Sequence, residues 1–431
     1  MQVLSESFQW DSLTPVVVML VVAAVIPIIL SLLKIKFIPV LVIEIAMGMI
    51  LANIPYFKNM FTSEGTLNPL MNGLYTIGLA FMLFLSGMEI DYSVLKRQKK
   101  GNNLTLPTLK MSWILVILVI LVSFVASFFF QNYLVDDTKW KVVVGIIALT
   151  ILFSSTFASL VVPIVHDEKL EKTTIGQIIC TYSTIMEFVS IVALSILMIL
   201  LEILDNAKPW VLLVIAVVLL VCYLIVHFVP RKIFNRVMNG IVHLDIRLIV
   251  LGVLLLGILA QISGSEFILG TFLFGAVIKS AGIKKATEHK IAAIGHGLLV
   301  PIFYILVGFQ VGLMSPFSEL FTLNSLLLIA AVLITMIIVK APFLVLSKWY
   351  HLSTVIPTML ITTSTIIVGI ACSHFGVING ELSSAIIIAS AISCLIPPIL
   401  FDINKTYGYS KEKYDSIIIN PNEIKDDSIE N

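Results

Sequence analysis

The sequence has 431 residues, 59% of them hydrophobic and only 12% charged, about half the charged share of an ordinary soluble domain. A formal charge of +1 leaves no excess to hold nucleic acid or another highly charged partner. Four cysteines, Cys180, Cys222, Cys372 and Cys394, all within apolar runs, give neither a disulfide framework nor metal-ligand spacing. This composition reads as an all-α polytopic membrane protein. The opening stretch, MQVLSESFQWDSLTP, lacks a basic region, so the first apolar run is expected to stay as a helix rather than leave as a signal peptide.

Thirteen apolar runs are long enough to span or nearly span a bilayer: 15–33, 38–54, 72–89, 110–131, 140–165, 175–203, 209–229, 244–262, 265–280, 291–314, 324–346, 353–375 and 381–401. With the N-terminus outside, Lys34 and Lys36, then Lys96, Arg97, Lys99 and Lys100, then Arg231, Lys232 and Arg236, then Lys284, Lys285 and Lys290 all fall on cytoplasmic links. The multi-pass domain is read as residues 1–401, and 402–431 as a short, polar cytoplasmic tail.

Polar residues inside the runs carry the functional signal. In the second run Glu44 stands near the cytoplasmic third, either as a helix-end carboxylate reaching headgroup water or as part of a pathway, with Ala46 and Gly48 offering a small-residue packing face. Glu89 and Asp91 close the third run and read as a solvated edge. The fifth run carries Ser154, Ser155, Thr156 and Ser159, hydroxyls that offer the backbone alternative hydrogen bonds and so favour unwinding. Thr362, Thr363, Ser364 and Thr365 repeat the theme in the twelfth run. Broken helices at membrane depth are where transporters place ion sites.

The sixth run carries Glu187 at its middle. A charge near the bilayer centre costs roughly 2.5 to 3.5 kcal/mol on insertion scales, so such an acid is a functional-site hypothesis by default. The alternative is an acid that is permanently protonated, or paired with a neighbouring helix for packing, a task a cheaper residue could do. Ser183 lies one turn before Glu187 and Thr184 three residues before it, so both hydroxyls can point towards the carboxylate. Lys340, followed by Pro342, is the other costly residue. It either snorkels to the cytoplasmic surface or faces the broken helices and balances Glu187 or the helix ends. Finally, FLSGMEID at 84–91 is echoed by ILVGFQVG at 305–312, matching Gly87 to Gly308 at opposite membrane sides, as an inverted repeat requires.

These residues occur in a familiar order. IPVLVIEIAMGMILAN, LFLSGMEIDYSVLK, the SST of the fifth run followed by PIVHDEKLEKTTIGQII, Glu187, PIFYILVGFQVGL and the VKAP lysine together resemble the cation:proton antiporter superfamily. The nearest branch is the second monovalent cation:proton antiporter family, with its Kef-type and Nap-type exchangers. The resemblance implies a homodimeric carrier of about thirteen helices in the bacterial plasma membrane. It implies inverted repeats with two crossed, discontinuous helices, and a core here spanning about 72–203 and 291–401. By the same resemblance Glu187 with Ser183, Ser155 and Thr156 would form the monovalent cation/proton site. Lys340 would supply charge balance, and Thr363, Ser364 and Thr365 would be the partners on the second broken helix. Two-acid members carry a second acid where this chain has Met186, and regulation through a Kef-type nucleotide-binding domain is not expected.

The expected activity is therefore secondary active antiport of Na⁺ or K⁺, with Li⁺ also admissible, against protons, without a cofactor. One titrating acid predicts electroneutral exchange. A non-exchanging sensor on the same fold and a passive channel are the alternatives. An enzyme is the least favoured, since there is no HExxH and no Ser-His-Asp arrangement.

Overall fold

The computed structural model describes residues 13–33, 40–63, 65–89, 105–134, 139–156, 161, 174–204, 244–263, 267–280, 283, 285–314, 316, 322–343 and 378–393. The chain forms two units, Met1–Ile90 with Ser195–Leu326 (unit 1) and Asp91–Leu194 with Leu327–Asn431 (unit 2). The seventh and twelfth apolar runs, with Thr363, Ser364 and Thr365, and the tail lie outside the described residues. The helices of the third and tenth runs lie in unit 1.

Unit 1 begins with α1 (Thr14–Leu32), whose Pro15 sits in the first turn, where a missing N–H is harmless. Helix α2 (Val40–Asn53) meets α3 (Pro55–Phe61) at a bend of 99°. Pro55 is the cause: it restricts Ile54 to extended backbone (φ −94°, ψ 116°) and cannot continue the helical ladder. A tight antiparallel pair, β1 (Thr62–Ser63) with β2 (Thr66–Leu67), turns on Gly65 at φ 84°, a conformation side-chain-bearing residues avoid. Asn68 then caps α4 (Pro69–Glu89), its Oδ1 accepting the Met71 N–H at 2.9 Å. Unit 1 continues with α8 (Leu244–Ser263), α9 (Phe267–Ser280), α10 (Lys285–Ile294) and, across a π turn at Gly295–Leu299, α11 (Val300–Met314).

Two close helix crossings organise this unit: α2 with α11, and α4 with α9. At the first, a Cβ on Gly48 would overlap the Ile305 carbonyl oxygen, and one on Gly308 would overlap that of Ile45. The second has the same geometry: a Cβ on Gly87 would strike the Phe272 carbonyl, and one on Gly275 that of Phe84. In every case the obstructing carbonyl lies three residues before the partner glycine. Gly87 and Gly308, the glycines matched by sequence, thus hold corresponding places in the two crossings. Backbones at this separation admit no side chain. Of the two small residues expected to face the seam, Gly48 does so, whereas Ala46 is exposed.

Unit 2 contains α5 (Thr105–Ser127, extended by a 3₁₀ segment Phe128–Tyr133) packed on α6 (Lys139–Ser154). It also contains most of α7 (Thr174–Leu204) and α12 (Leu323–Val339), and all of α13 (Gly380–Ser393). Just before α13, the Asn379 N–H donates to Tyr133 O at 3.1 Å, beside a Leu134–Ile378 bridge. Residues 134 and 378 therefore lie side by side in unit 2, at the end of the 3₁₀ segment and just before α13. Trp113, Ile117, Leu121 and Val125 leave an exposed apolar stripe on α5, a face suited to lipid. Among the described residues, Thr14–Leu32, Pro69–Met88, Lys110–Tyr133 and Ala286–Met314 are long and apolar enough to cross a bilayer unaided.

Candidate functional site

Helix α6 stops at Ser154 although the sequence stays apolar on both sides. The reason is local. The Ser154 hydroxyl donates to Ile151 O at 3.1 Å and the Ser155 hydroxyl to Leu152 O at 2.8 Å, while Ser155 N–H closes one last helical bond to Ile151 O. The Ser155 hydroxyl thus takes up the Leu152 carbonyl that the next helical bond would otherwise engage, and the Ser154 hydroxyl adds a second bond at Ile151 O.

The remaining carbonyls are satisfied from 185 residues away. Pro342 ends α12 after Val339, and the chain turns through bonds from Lys340 N–H to Ile337 O and Ala341 N–H to Ile338 O. That turn directs Lys340 inward, where its ammonium donates to Ser154 O at 2.9 Å, Ser155 O at 3.1 Å and Thr156 Oγ1 at 2.9 Å. An ammonium has three protons, and each has an acceptor. The lysine is 1% exposed, so it does not snorkel. It stands at the negative end of α6, where a cation is favoured and where bare carbonyls would be costly.

Helix α7 supplies the acid. Glu187 is 2% exposed and Ser183, one turn earlier, is fully buried with no hydrogen-bond partner for its hydroxyl among the described residues. Thr184 departs from expectation: its hydroxyl donates to Cys180 O at 2.9 Å, its own preceding turn, and so is committed to the helix. Ser190, buried and three residues after Glu187, shares the acid's face but did not stand out in an apolar run that also carries Ser195. Tyr182 lies on another face of α7. Its ring packs edge-on against Phe343 at 4.7 Å, and the Lys340 ammonium sits 6.0 Å from its centre. Met186 follows Tyr182 by one turn, so an apolar residue shares the face that meets Lys340, and Glu187 projects from the Ser183 face.

Of the residues singled out by sequence, Ser155, Thr156 and Lys340 thus come together at the end of α6. Ser183 and Glu187 share a buried face of α7 in the same unit. The donor set is hard oxygen: a carboxylate, hydroxyls and carbonyls, without the sulfur or imidazole that transition metals favour. Among the described residues no group of three or more His, Cys, Asp or Glu side chains could hold a metal ion.

Comparison with known proteins agrees in kind. YjbQ of Bacillus subtilis, provisionally named a Na(+)/H(+) antiporter, is 29% identical over 413 residues, covering 90% of this chain and 62% of the relative. The chain thus spans less than two thirds of that protein's length. A protein of Methanocaldococcus jannaschii, provisionally named Na(+)/H(+) antiporter 3, is 24% identical across 89% of this chain and 95% of its own. The Na(+)/H(+) antiporter of Enterococcus hirae is 22% identical over 63% of this chain and 67% of its own. Residues 20–402 match the model of the transmembrane sodium/hydrogen exchangers. A buried acid in an apolar helix, a helix ended by its own hydroxyls and a match over most of the sequence therefore lead to one assignment: the chain belongs to the sodium/hydrogen exchanger family.

Proposed function

We propose that this chain is a secondary active antiporter that exchanges a monovalent cation, Na⁺ or K⁺, for protons at Glu187. The observation that carries the reading is the pairing of a buried carboxyl with a buried hydroxyl one turn away, Ser183, which has no partner among the described residues. Packing alone gives no reason to bury both. A small cation or a proton accounts for the pair: the cation takes the carboxylate and the free hydroxyl lone pairs as ligands, and the proton neutralises the acid.

The chemistry of coupling follows from desolvation. An ionised, unliganded acid at this depth is penalised, whereas the cation-bound and the protonated forms are both neutral. Only the two loaded forms cross readily between inward-facing and outward-facing states, which ties one flux to the other. With one acid the exchange is one for one and electroneutral. Lys340 takes no part in the proton count in this reading. Its charge is held by the α6 carbonyls and Thr156, and it acts as a positioning residue for the break. Ser155 and Thr156 supply further oxygens at that break.

The wider architecture belongs to the same reading. The matching geometry of the two glycine crossings supports inverted repeats, and the hydroxyls of Thr363, Ser364 and Thr365 would break a second helix opposite α6. The carrier works as a homodimer in the plasma membrane, with its N-terminus outside and its C-terminus in the cytoplasm.

Proton flux in proteoliposomes carrying a pH-reporting dye tests the function. Na⁺, K⁺ or Li⁺ added against an imposed proton gradient is expected to dissipate it in wild type and not in Glu187→Gln. Silence towards every cation from folded protein would favour a non-exchanging sensor. A cation-driven membrane potential would refute the electroneutral version alone.

A further inference from the structure

Glu44 is the buried acid that the exchange site leaves unused. It lies in unit 1, at the fifth position of α2, on the buried face that also carries Leu41, Ile45 and Gly48. Only 3% of it is exposed, and among the described residues no hydrogen bond or ion pair reaches it. The helix-end reading, a carboxylate reaching headgroup water, does not fit that burial.

Among the described residues, the elements packed on α2 are α11, α1 and α3. Helix α1 has no titratable side chain, and Tyr304 is the one on α11. Helix α3 carries Tyr56 and Lys58, but it starts beyond Asn53, about 13 Å along α2 from Glu44 at the usual rise per residue. No cation on these elements therefore stands where it could balance a carboxylate. The N-terminus of α2 helps little, since the dipole contributes about 1 kcal/mol or less beyond the first turn, against several kcal/mol for a bare buried charge. One turn from Glu44, Gly48 lies against the α11 backbone, so the acid sits beside a close helix contact. The other crossing supplies an independent comparison. With Gly48 set against Gly275, Glu44 falls on Thr271, a fully buried hydroxyl that has a partner. A neutral polar group thus suits this register.

We propose that Glu44 is a second proton-binding site, separate from Glu187, and that the α2 and α11 helices close on each other only over its neutral form. Loss of the proton leaves a charge with no partner among the described residues, and the crossing loosens.

Infrared difference spectroscopy on the full chain in lipid nanodiscs, stepped between neutral and alkaline pH, reads the proton directly. In Glu187→Gln the carbonyl stretch of a protonated carboxyl is expected to persist at neutral pH, and in the double variant with Glu44→Gln it is expected to vanish. Its absence from Glu187→Gln would overturn the proposal without any Glu44 variant being needed. Thermal unfolding is the second readout. Wild type is expected to lose stability as pH rises, and Glu44→Gln and Glu44→Thr, the latter borrowed from the other crossing, are expected to lose that dependence. Equal pH dependence in all three would also overturn it. Neither readout requires transport, so the proposal stands or falls apart from the antiport reading.

Discussion

At the α2 and α11 crossing of unit 1, two continuous helices touch backbone to backbone, their carbonyls already engaged within each helix and only glycine fitting between them. At residues 154–156 in unit 2 a helix ends inside apolar sequence, and its freed carbonyls are met by serine hydroxyls and by one lysine. The first junction depends on shape and the second on charge and hydrogen bonding. A polar group buried without a partner is costly, so the two should fail differently when altered.

The largest effect is expected from Lys340→Met. Three acceptors lose their donor at once, and with buried unsatisfied groups costing about 1–3 kcal/mol each, unfolding stability should drop by at least ~3 kcal/mol and exchange should cease. Lys340→Arg should recover only part of this, since a planar guanidinium does not reproduce three bonds splayed from one nitrogen. Stability like wild type in Lys340→Met would mean that the break is held by its serines alone.

Next in size come the glycines. Gly48→Ala and Gly275→Ala each place a methyl group on a backbone carbonyl of the partner helix, and overpacking of this kind costs about 1–3 kcal/mol. If the crossings are equivalent, thermal unfolding in detergent should give the two variants similar losses. A clearly unequal pair would show that the matching geometry does not carry matching energetics.

The contrast between junctions also separates what sequence could and could not disclose. Apolar runs became helices because unpaired backbone is intolerable in lipid, and the hydroxyl cluster at 154–156 announced its break through the residues themselves. Tertiary choices were less accessible. Nothing in VKAP distinguishes a snorkelling lysine from an inward one, because the acceptors that decide it lie on a helix 185 residues away. Similarly, the FLSG and ILVG echo identified Gly87 and Gly308 but not their partners, Gly275 and Gly48, which are helices apart in sequence. Thr184 looked equivalent to Ser183 by spacing, and only its bond to Cys180 removes it from the site.

Ser183→Ala sharpens the chemical side of the comparison. Deleting a buried hydroxyl that has no partner among the described residues should raise stability by up to ~1 kcal/mol, since its desolvation is no longer uncompensated. Cation affinity should fall several-fold over the same substitution, read from the cation concentration giving half-maximal proton flux. Lower stability together with unchanged affinity would make Ser183 a packing residue.

The smallest effect is expected at Gly73, an exposed glycine in α4 with nothing within 4 Å of where its Cβ would lie. It shares a helix with Gly87, so the two positions test whether close approach or helix propensity sets a glycine's cost. Gly73→Ala restricts the unfolded backbone without meeting any atom, and should stabilise by roughly 0.5–1 kcal/mol while leaving exchange intact. A loss instead, comparable to that of Gly48→Ala in the same thermal unfolding measurement, would mean that a neighbour beyond the described residues meets that face and that close approach, not helix propensity, sets the cost there as well.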